Sequence, residues 1–248
     1  MEKQRPLFKE ILNWPESMWP IRPDFLDSYN KDLLPDVASL SALTYPWELM
    51  ILLRKTLGEK IKGSRISEHA TLKQFSLVEG PVWVEDGVTI FPFAHITGPA
   101  YIGEGSVVGQ GAVIRGGVYI GKNSDIGVDS EVGRSILANK CSLHNAKVLD
   151  SLVSSDVHFG SANTANFRLD GKNITSYVSG EKVDTGLRKL GAIFGEGHSF
   201  IGMNASTNPG VKIGARCYVY PGASVSEDVP GNSRLVVKQQ QQISLRNE

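Results

Sequence analysis

The sequence predicts a mainly β protein, a parallel β-helix built from hexapeptide repeats, and two observations carry the prediction. Every sixth residue from Ile66 to Val132 is aliphatic: Ile66, Leu72, Val78, Val84, Ile90, Ile96, Ile102, Val108, Ile114, Ile120, Ile126 and Val132. Four residues after each of the first eleven stands a small or β-branched residue, as at Ala70, Ser76, Ala94, Ala112, Ser124 and Ser130. A helix of about 3.6 residues per turn rotates a six-residue repeat off any one face, and a lone strand alternates by two over only a few positions. A period of six is the mark of a solenoid in which each hexapeptide makes one short strand and one turn. The aliphatic residue fills the interior, the small one fits where the wall turns inward, and successive coils stack at about 4.8 Å, the ordinary strand spacing.

Residues 1–60 are of another kind. No glycine precedes Gly58, and prolines recur at 6, 15, 20, 23, 35 and 46, which predicts short helices joined by proline turns. The clearest helix starts after Thr44, with Pro46 near its first position, where the missing N–H costs little. Met50, Leu53, Leu57 and Ile61 form one stripe with Arg54 and Lys55 off it. This segment is expected to be a helical N-terminal cap over the first coil, whose open end would otherwise expose core and strand edges. Trp14, Trp19 and Trp47 are read as packing mass.

The β-helix is assigned to residues 61–237. After Val132 the repeat stumbles: Leu137 comes five residues on, Leu143 and Leu149 restore the spacing, Val153 comes four later and Phe159 six after that. Residues 160–192 do not repeat and are predicted to form a projecting arm loop, with Asp170-Gly171 and Ser179-Gly180 as turns and TSYV and EKV as its strands. The hexad resumes at Ile201, Thr207, Ile213, Val219 and Val225. The remainder, 238–248, is a polar tail.

Composition narrows the function. The chain has 248 residues with 26 Lys plus Arg against 26 Asp plus Glu, which argues against a nucleic-acid partner or an anionic membrane surface. No apolar run reaches the length of a membrane span, and nothing at the start reads as a signal peptide. The two cysteines, Cys141 and Cys217, fall in the small inward slot and are expected as buried reduced thiols. The expected location is cytoplasmic. Of the five histidines, His69, His95 and His198 have nothing reactive beside them in sequence. His144 lies inside the stumble, just before the arm, where a neutral imidazole can serve as a general base near pH 7.

The run from about Thr44 to Val225 resembles the acetyltransferase half of the bifunctional enzymes that make UDP-N-acetylglucosamine, archaeal-type and related bacterial members. The residues that carry the resemblance are YPWEL (45–49), the hexads, SEVGRSIL (130–137), HFGSANTANFRLDGK (158–172), GEKVDTGLRKLGA (180–192) and NPG (208–210). The resemblance implies a left-handed β-helix with coils of about 18 residues and a homotrimer with sites between subunits. It also implies acetyl-CoA as co-substrate, a small sugar phosphate as acceptor, and no required metal. His144 falls on the family's catalytic histidine, which takes a proton from the sugar amine. Asn166 and Lys172 fall on its substrate loop, and Arg188 and Lys189 match its RKLGA run, which implies a structural or phosphate-contacting role. Departures accompany these matches. Lys147 stands where the family has tyrosine, and His158 where it has asparagine. Gly109-Gln110 and Gly133 replace an arginine and a lysine of the phosphate grip, leaving Arg134 beside the latter. The nucleotidyltransferase half of the family, with its glycine-rich phosphate loop, has no counterpart in residues 1–60.

Two further classes compete with an acyltransferase. One is a non-catalytic trimeric β-helix module that binds a sugar nucleotide or a partner protein. The other is a β-helical zinc enzyme, for which His144 and His158, fourteen residues apart, are poorly spaced against coils of about 18.

Overall fold

The structure, a computed structural model, describes residues 15–238; Trp14 and the tail beyond 238 lie outside the described residues. Short strands wind into three parallel sheets that form the sides of a prism. Sheet A has eight strands, from Arg65–Ile66 to Lys212–Ile213. Sheet B has nine, from Thr71–Leu72 to Arg234–Leu235, and sheet C eight, from Leu77–Glu79 to Ser224–Val225. Ile96 pairs with Ile114 and Ile114 with Val132, so one regular coil is 18 residues long (96 to 114 to 132). From Ile90 through Val132 the hexad residues are fully buried in one continuous core. At the first coil they are not: Ile66 is 41% exposed and Leu72 40%, because that end of the prism is open.

The N-terminal helices are where the sequence expects them, α1 at Val37–Ser41 and α2 at Pro46–Lys60, but they do not cover the open end. They lie along the flank. Met50, Leu53, Leu57 and Ile61 are buried as predicted, against the outer face of sheet A. The cause is a stripe that points outward once per coil: Trp83, Tyr101, Tyr119, Ile136, Leu152 and Ile193 lie in register on neighbouring strands. An apolar stripe of that length needs a cover. Tyr29 stacks on Tyr119 at 3.8 Å and Tyr119 on Tyr101 at 4.7 Å between ring centres. Asn30 secures both phenols, its backbone N–H donating to Tyr119 Oη (2.8 Å) and its Nδ2 to Tyr101 Oη (3.1 Å). Trp47 is buried here, whereas Trp19 stays partly exposed beneath the Lys212 ammonium.

The stumble has a local explanation. In the third sheet the inward residue after Val132 is Val148, its direct pairing partner, and Leu149 is only half-buried; reading Leu149 as the hexad position is corrected by one residue. The turn from sheet B to sheet C is shortened there, with His144 to Lys147 between Leu143 and Val148 where the preceding coil has Gly127 to Glu131. The turns into sheet A at Gly133–Ser135 and Leu149–Ser151 are tight as well, Arg134 and Asp150 both adopting positive φ (49° and 47°).

The arm also differs from the expectation. Asn163–Thr164 still pairs on sheet C, so the coil continues through Thr164 and the excursion starts at 165. The two arm strands form as predicted, Thr175–Val178 antiparallel to Glu181–Asp184. The hairpin is not free, since Ile174 and Leu190 are buried in the cluster outside sheet A. Lys212, 3% exposed, ties it down: its ammonium pairs with Asp228 at 2.7 Å and donates to Ser176 Oγ at 3.0 Å and to the Tyr177 carbonyl. The stretch around Phe167 to Lys172 is largely exposed, Leu169 at 97%. Cys141 and Cys217 are free and buried. No helix among the described residues is long and apolar enough to cross a membrane.

Candidate functional site

His144 occupies the shortened turn at the corner between sheets B and C, followed by Asn145 in the left-handed region (φ 52°). Its backbone is fixed: the N–H donates to the Phe159 carbonyl (2.8 Å), and its own carbonyl accepts from Ser161 Oγ (3.2 Å). Its side chain is exposed. Gly127 lies below it and Gly160 above it in the stack, so the imidazole meets no bulky neighbour at the turn position on either side. Three residues on, Lys147 is exposed at the start of its strand, in register with Glu131 below and Asn163 above. Glu131 in turn forms an ion pair with Arg115, Oε1 to Nε at 2.7 Å. The outer face of sheet C is thus a polar strip that starts at His144 and carries charges of both signs.

The opposite edge of that sheet holds a second cluster, centred on a residue the sequence reading missed. Asp150 is 2% exposed, and its carboxylate accepts two bonds from Arg134, at 2.7 Å from Nε and 2.5 Å from Nη2. Asn166, itself buried, adds a third from Nδ2 at 2.6 Å. Arg54 of α2 approaches at 3.8 Å. The Asp150 hydrogen bonds raise the Arg134 pKa above its ordinary value, outweighing burial. Two of the predicted substrate residues, Arg134 and Asn166, are therefore brought together, but around a protein carboxylate. Within one chain they do not meet His144. His144 precedes the strand Lys147–Leu149 and Asp150 follows it, so they stand off opposite ends of that strand.

Lys172, Arg188 and Lys189 are exposed on the excursion. The Lys172 N–H donates to Asp170 Oδ1 (3.1 Å), and Arg168 holds that carboxylate from Nε and Nη2 (2.9 and 2.6 Å), which keeps the Asp170 pKa well below the usual carboxylate range. Arg188 Nη2 lies beside Gly171, 3.8 Å from where a Cβ would stand.

His158 lies on the outer face of sheet B, stacked on Phe200 at 5.0 Å. It shares Asp156 with His198, which the sequence leaves solitary: His158 Nε2 is 2.9 Å from Oδ1 and His198 Nδ1 3.5 Å from Oδ2. Burial raises the Asp156 pKa, but the bonds from His158 and the His198 backbone outweigh it and the net direction is downward. These three residues are one group whose ligand atoms lie within 4.8 Å of one another; the pair weighed from sequence, His144 with His158, is not such a group.

Arg54 and Arg115 were also missed. The sequence marked Arg54 only as lying off the apolar stripe, and Arg115 follows an inward hexad residue with no motif of its own. The run Arg115-Gly116-Gly117, a cation before two glycines at a corner, was the available signal.

Residues 81–116 match the family described as bacterial transferase hexapeptide (six repeats). Over 101 residues the chain is 43% identical to the bifunctional sugar-1-phosphate nucleotidylyltransferase/acetyltransferase of Sulfurisphaera tokodaii, covering 40% of this chain and 25% of that protein. Over 200 residues it is 34% identical to the bifunctional protein GlmU of Methanococcus aeolicus, covering 79% of this chain and 46% of that one. Among solved structures, PerB from Caulobacter crescentus, in complex with CoA and GDP-perosamine, is 19% identical over 73% of this chain and 57% of its own, with a TM-score of 0.20. The chain carries hexapeptide repeats wound into a parallel β-helix, and it spans between a quarter and about half the length of the bifunctional proteins it matches.

Proposed function

We propose that this chain is an acetyl-CoA-dependent N-acetyltransferase acting on an amino sugar or sugar phosphate, working in the cytoplasm as a homotrimer. The 34% identity to a bifunctional GlmU over 200 residues carries the reading, since the match takes in both the β-helix and the arm. Of the two activities in the name of the Sulfurisphaera relative, only acetyl transfer suits the described residues: every parallel strand among them belongs to the β-helix, and no doubly wound nucleotide-binding sheet is present.

In the proposed reaction the acceptor amine attacks the thioester carbonyl of acetyl-CoA. His144 takes the proton that the nitrogen must lose, and the tetrahedral adduct collapses to the N-acetyl product and CoA thiolate, which is protonated as it leaves. An exposed imidazole between two glycine-bearing coils leaves room for both reactants. Lys147 presents its exposed ammonium three residues away. Lys172, Arg188 and Lys189 would reach the acceptor from a neighbouring subunit. The trimer is supported by what the chain leaves bare: sheet A is covered by its own helices, while Phe75 and Phe93 on the coils and Phe167 and Leu169 on the excursion remain exposed.

One observation favours the non-catalytic reading. The Asn166 amide is committed to Asp150 rather than open to a ligand. Free CoA release from acetyl-CoA, assayed over a panel of amino sugars and their phosphates, decides between them. His144→Ala is expected to keep acetyl-CoA binding and lower kcat by ~10²–10⁴, the usual worth of a positioned general base. Wild-type protein that releases no CoA with any acceptor, or a monomer mass by light scattering, would remove the catalytic reading and leave the binding module.

A further inference from the structure

Asp156, His158 and His198 come from two coils that are neighbours in space but are separated in the chain by the excursion, with 42 residues between Asp156 and His198. Strand pairing brings them together. Val157 pairs with Ser199 and His158 with Phe200, so Asp156 and His198, each one residue ahead of its strand, stand side by side. Val157 and Ser199 are buried, and side chains alternate along a strand, so Asp156, His158 and His198 all point outward from sheet B. The backbone fixes the carboxylate: the His198 N–H donates to Asp156 Oδ2 at 2.9 Å, and the Ser199 N–H to the Asp156 carbonyl at 3.1 Å.

One ring holds both imidazoles. His158 stacks on Phe200 at 5.0 Å and 19°, and His198 meets the same ring edge-on at 4.8 Å and 89°. Phe200 is itself stacked on Tyr218 of the next coil at 5.5 Å. The hexapeptide repeat asks for none of this, and the histidine–carboxylate contacts His95–Glu79 and His69–Glu68 are simple pairs. The distances suit a metal ion. In a tetrahedral site with bonds of about 2.0–2.1 Å, ligand atoms stand about 3.3 Å apart. His158 Nε2 to Asp156 Oδ1 is 2.9 Å and His198 Nδ1 to Asp156 Oδ2 is 3.5 Å, on either side of that value. The three ligand atoms lie within 4.8 Å of one another, and the His198 side chain, 63% exposed, is free to turn and close the longest gap.

We propose that Asp156, His158 and His198 bind one divalent ion of the zinc class, which staples the coil before the excursion to the coil after it. Two imidazole nitrogens and one carboxylate suit zinc and its neighbours, whereas magnesium and calcium call for oxygen ligands. Three protein ligands leave the fourth position to solvent. In the regular prism the paired residues of neighbouring coils are 18 apart (96 to 114 to 132), and the repeat itself carries the register. Across the excursion the register must be found again, and a slip of one residue would turn outward side chains inward. A metal bond between the two coils fixes it. The inference does not depend on acetyl transfer: His144 is not in the group, and no step of that reaction uses the ion.

The test is calorimetric titration of the full chain, stripped with EDTA, with zinc chloride and with magnesium chloride as control. Wild type is expected to bind one zinc per chain saturably and no magnesium. Asp156 and His198 have positive φ (61° and 30°), a backbone that asparagine accepts, so Asp156→Asn and His198→Asn each remove a ligand with little strain. Each should bind zinc at least about tenfold more weakly, since even the loss of a group supporting a ligand costs about 10–100-fold. Zinc at a hundredfold excess over Kd should raise the wild-type thermal midpoint by about 5 °C, because the unfolded chain lacks the site, and should move that of His198→Asn far less. His144→Ala should take up zinc like wild type even where acetyl transfer is lost, which separates failure of the staple from failure of the enzyme reading. His95→Gln, which removes the histidine of another carboxylate contact, should also bind like wild type. No saturable zinc binding by wild type, wild-type affinity in both asparagine variants, a loss that follows His95→Gln instead, or zinc binding that leaves the wild-type midpoint unchanged overturns the proposal.

Discussion

The two apolar clusters of this chain use the same strands from opposite sides. Inside the prism the core is written every six residues by aliphatic side chains of nearly constant size, because each sheet repeats the same environment coil after coil. Outside sheet A the core is written only once per coil, by Trp83, Tyr101 and Tyr119 and then by Ile136, Leu152 and Ile193, and its other half comes from a segment with no repeat at all. The first cluster makes a solenoid of any hexapeptide chain. The second fixes one side of this solenoid as a covered flank and places Arg54 beside Asp150.

The strongest way to break the contrast is to charge the interior. Ile114 is fully buried between Ile96 and Val132, so Ile114→Asp strands a carboxylate with no partner. A loss of about 3–5 kcal/mol is expected by urea denaturation. An unchanged midpoint would mean that the interior is not where the period of six puts it.

A smaller effect is expected from the flank. Leu53 is fully buried between α2 and sheet A, and Leu53→Ala should cost about 2–4 kcal/mol through lost contacts and a residual cavity. Its near-UV circular dichroism should change with the tyrosine stack while the far-UV signal of the β-helix persists at low urea. If the variant loses less than about 0.5 kcal/mol, α2 is a loosely attached cover rather than half of a core.

How much of this was legible follows from the same contrast. The hexad residues, the resumption after the arm and the helix at Thr44 could all be read, because each is a local pattern repeated or capped in sequence. The placement of α2 could not. Its stripe announces that it is covered but not by what, and the partner stripe recurs at one residue per coil, too sparse to register beside the period of six. The Val148 correction has a different cause: with one residue missing from a turn, Val148 and Leu149 are equally plausible inward positions until pairing with Val132 decides. At the candidate site, His144 and Lys147 were legible as occupants of the irregular turn. Asp150 was not, since a lone acid in a turn gives no sign that Arg134, Asn166 and Arg54 converge on it from three other parts of the chain.

The smallest effect sharpens the comparison through pH. Cys141 sits inside the prism, its Sγ donating to the Ser154 carbonyl at 3.4 Å, and burial pushes its thiol from 9.0 up to about 12. Outside sheet A, burial likewise raises the phenols of Tyr29, Tyr101 and Tyr119 above the ordinary value of 10.0. In each case the folded state holds its proton more tightly than the unfolded chain. The stabilisation is complete below the unfolded pKa and is lost as pH rises toward the folded one, because the unfolded state releases a proton that the folded state keeps. For Cys141 that window runs from about pH 9 to 12, with a slope of at most about 1.4 kcal/mol per pH unit for one proton. The tyrosines enter about one pH unit later and dominate above about pH 10, where unfolded phenols are more than half ionised. Cys141→Ala should therefore flatten the decline in stability between pH 8 and 9, where the thiol outweighs the three phenols, and leave the steeper fall above pH 10 that belongs to the flank. Urea midpoints taken at half-unit steps from pH 8 to 10.5 measure it. Identical profiles for wild type and Cys141→Ala would show that alkaline sensitivity resides in the outer core alone.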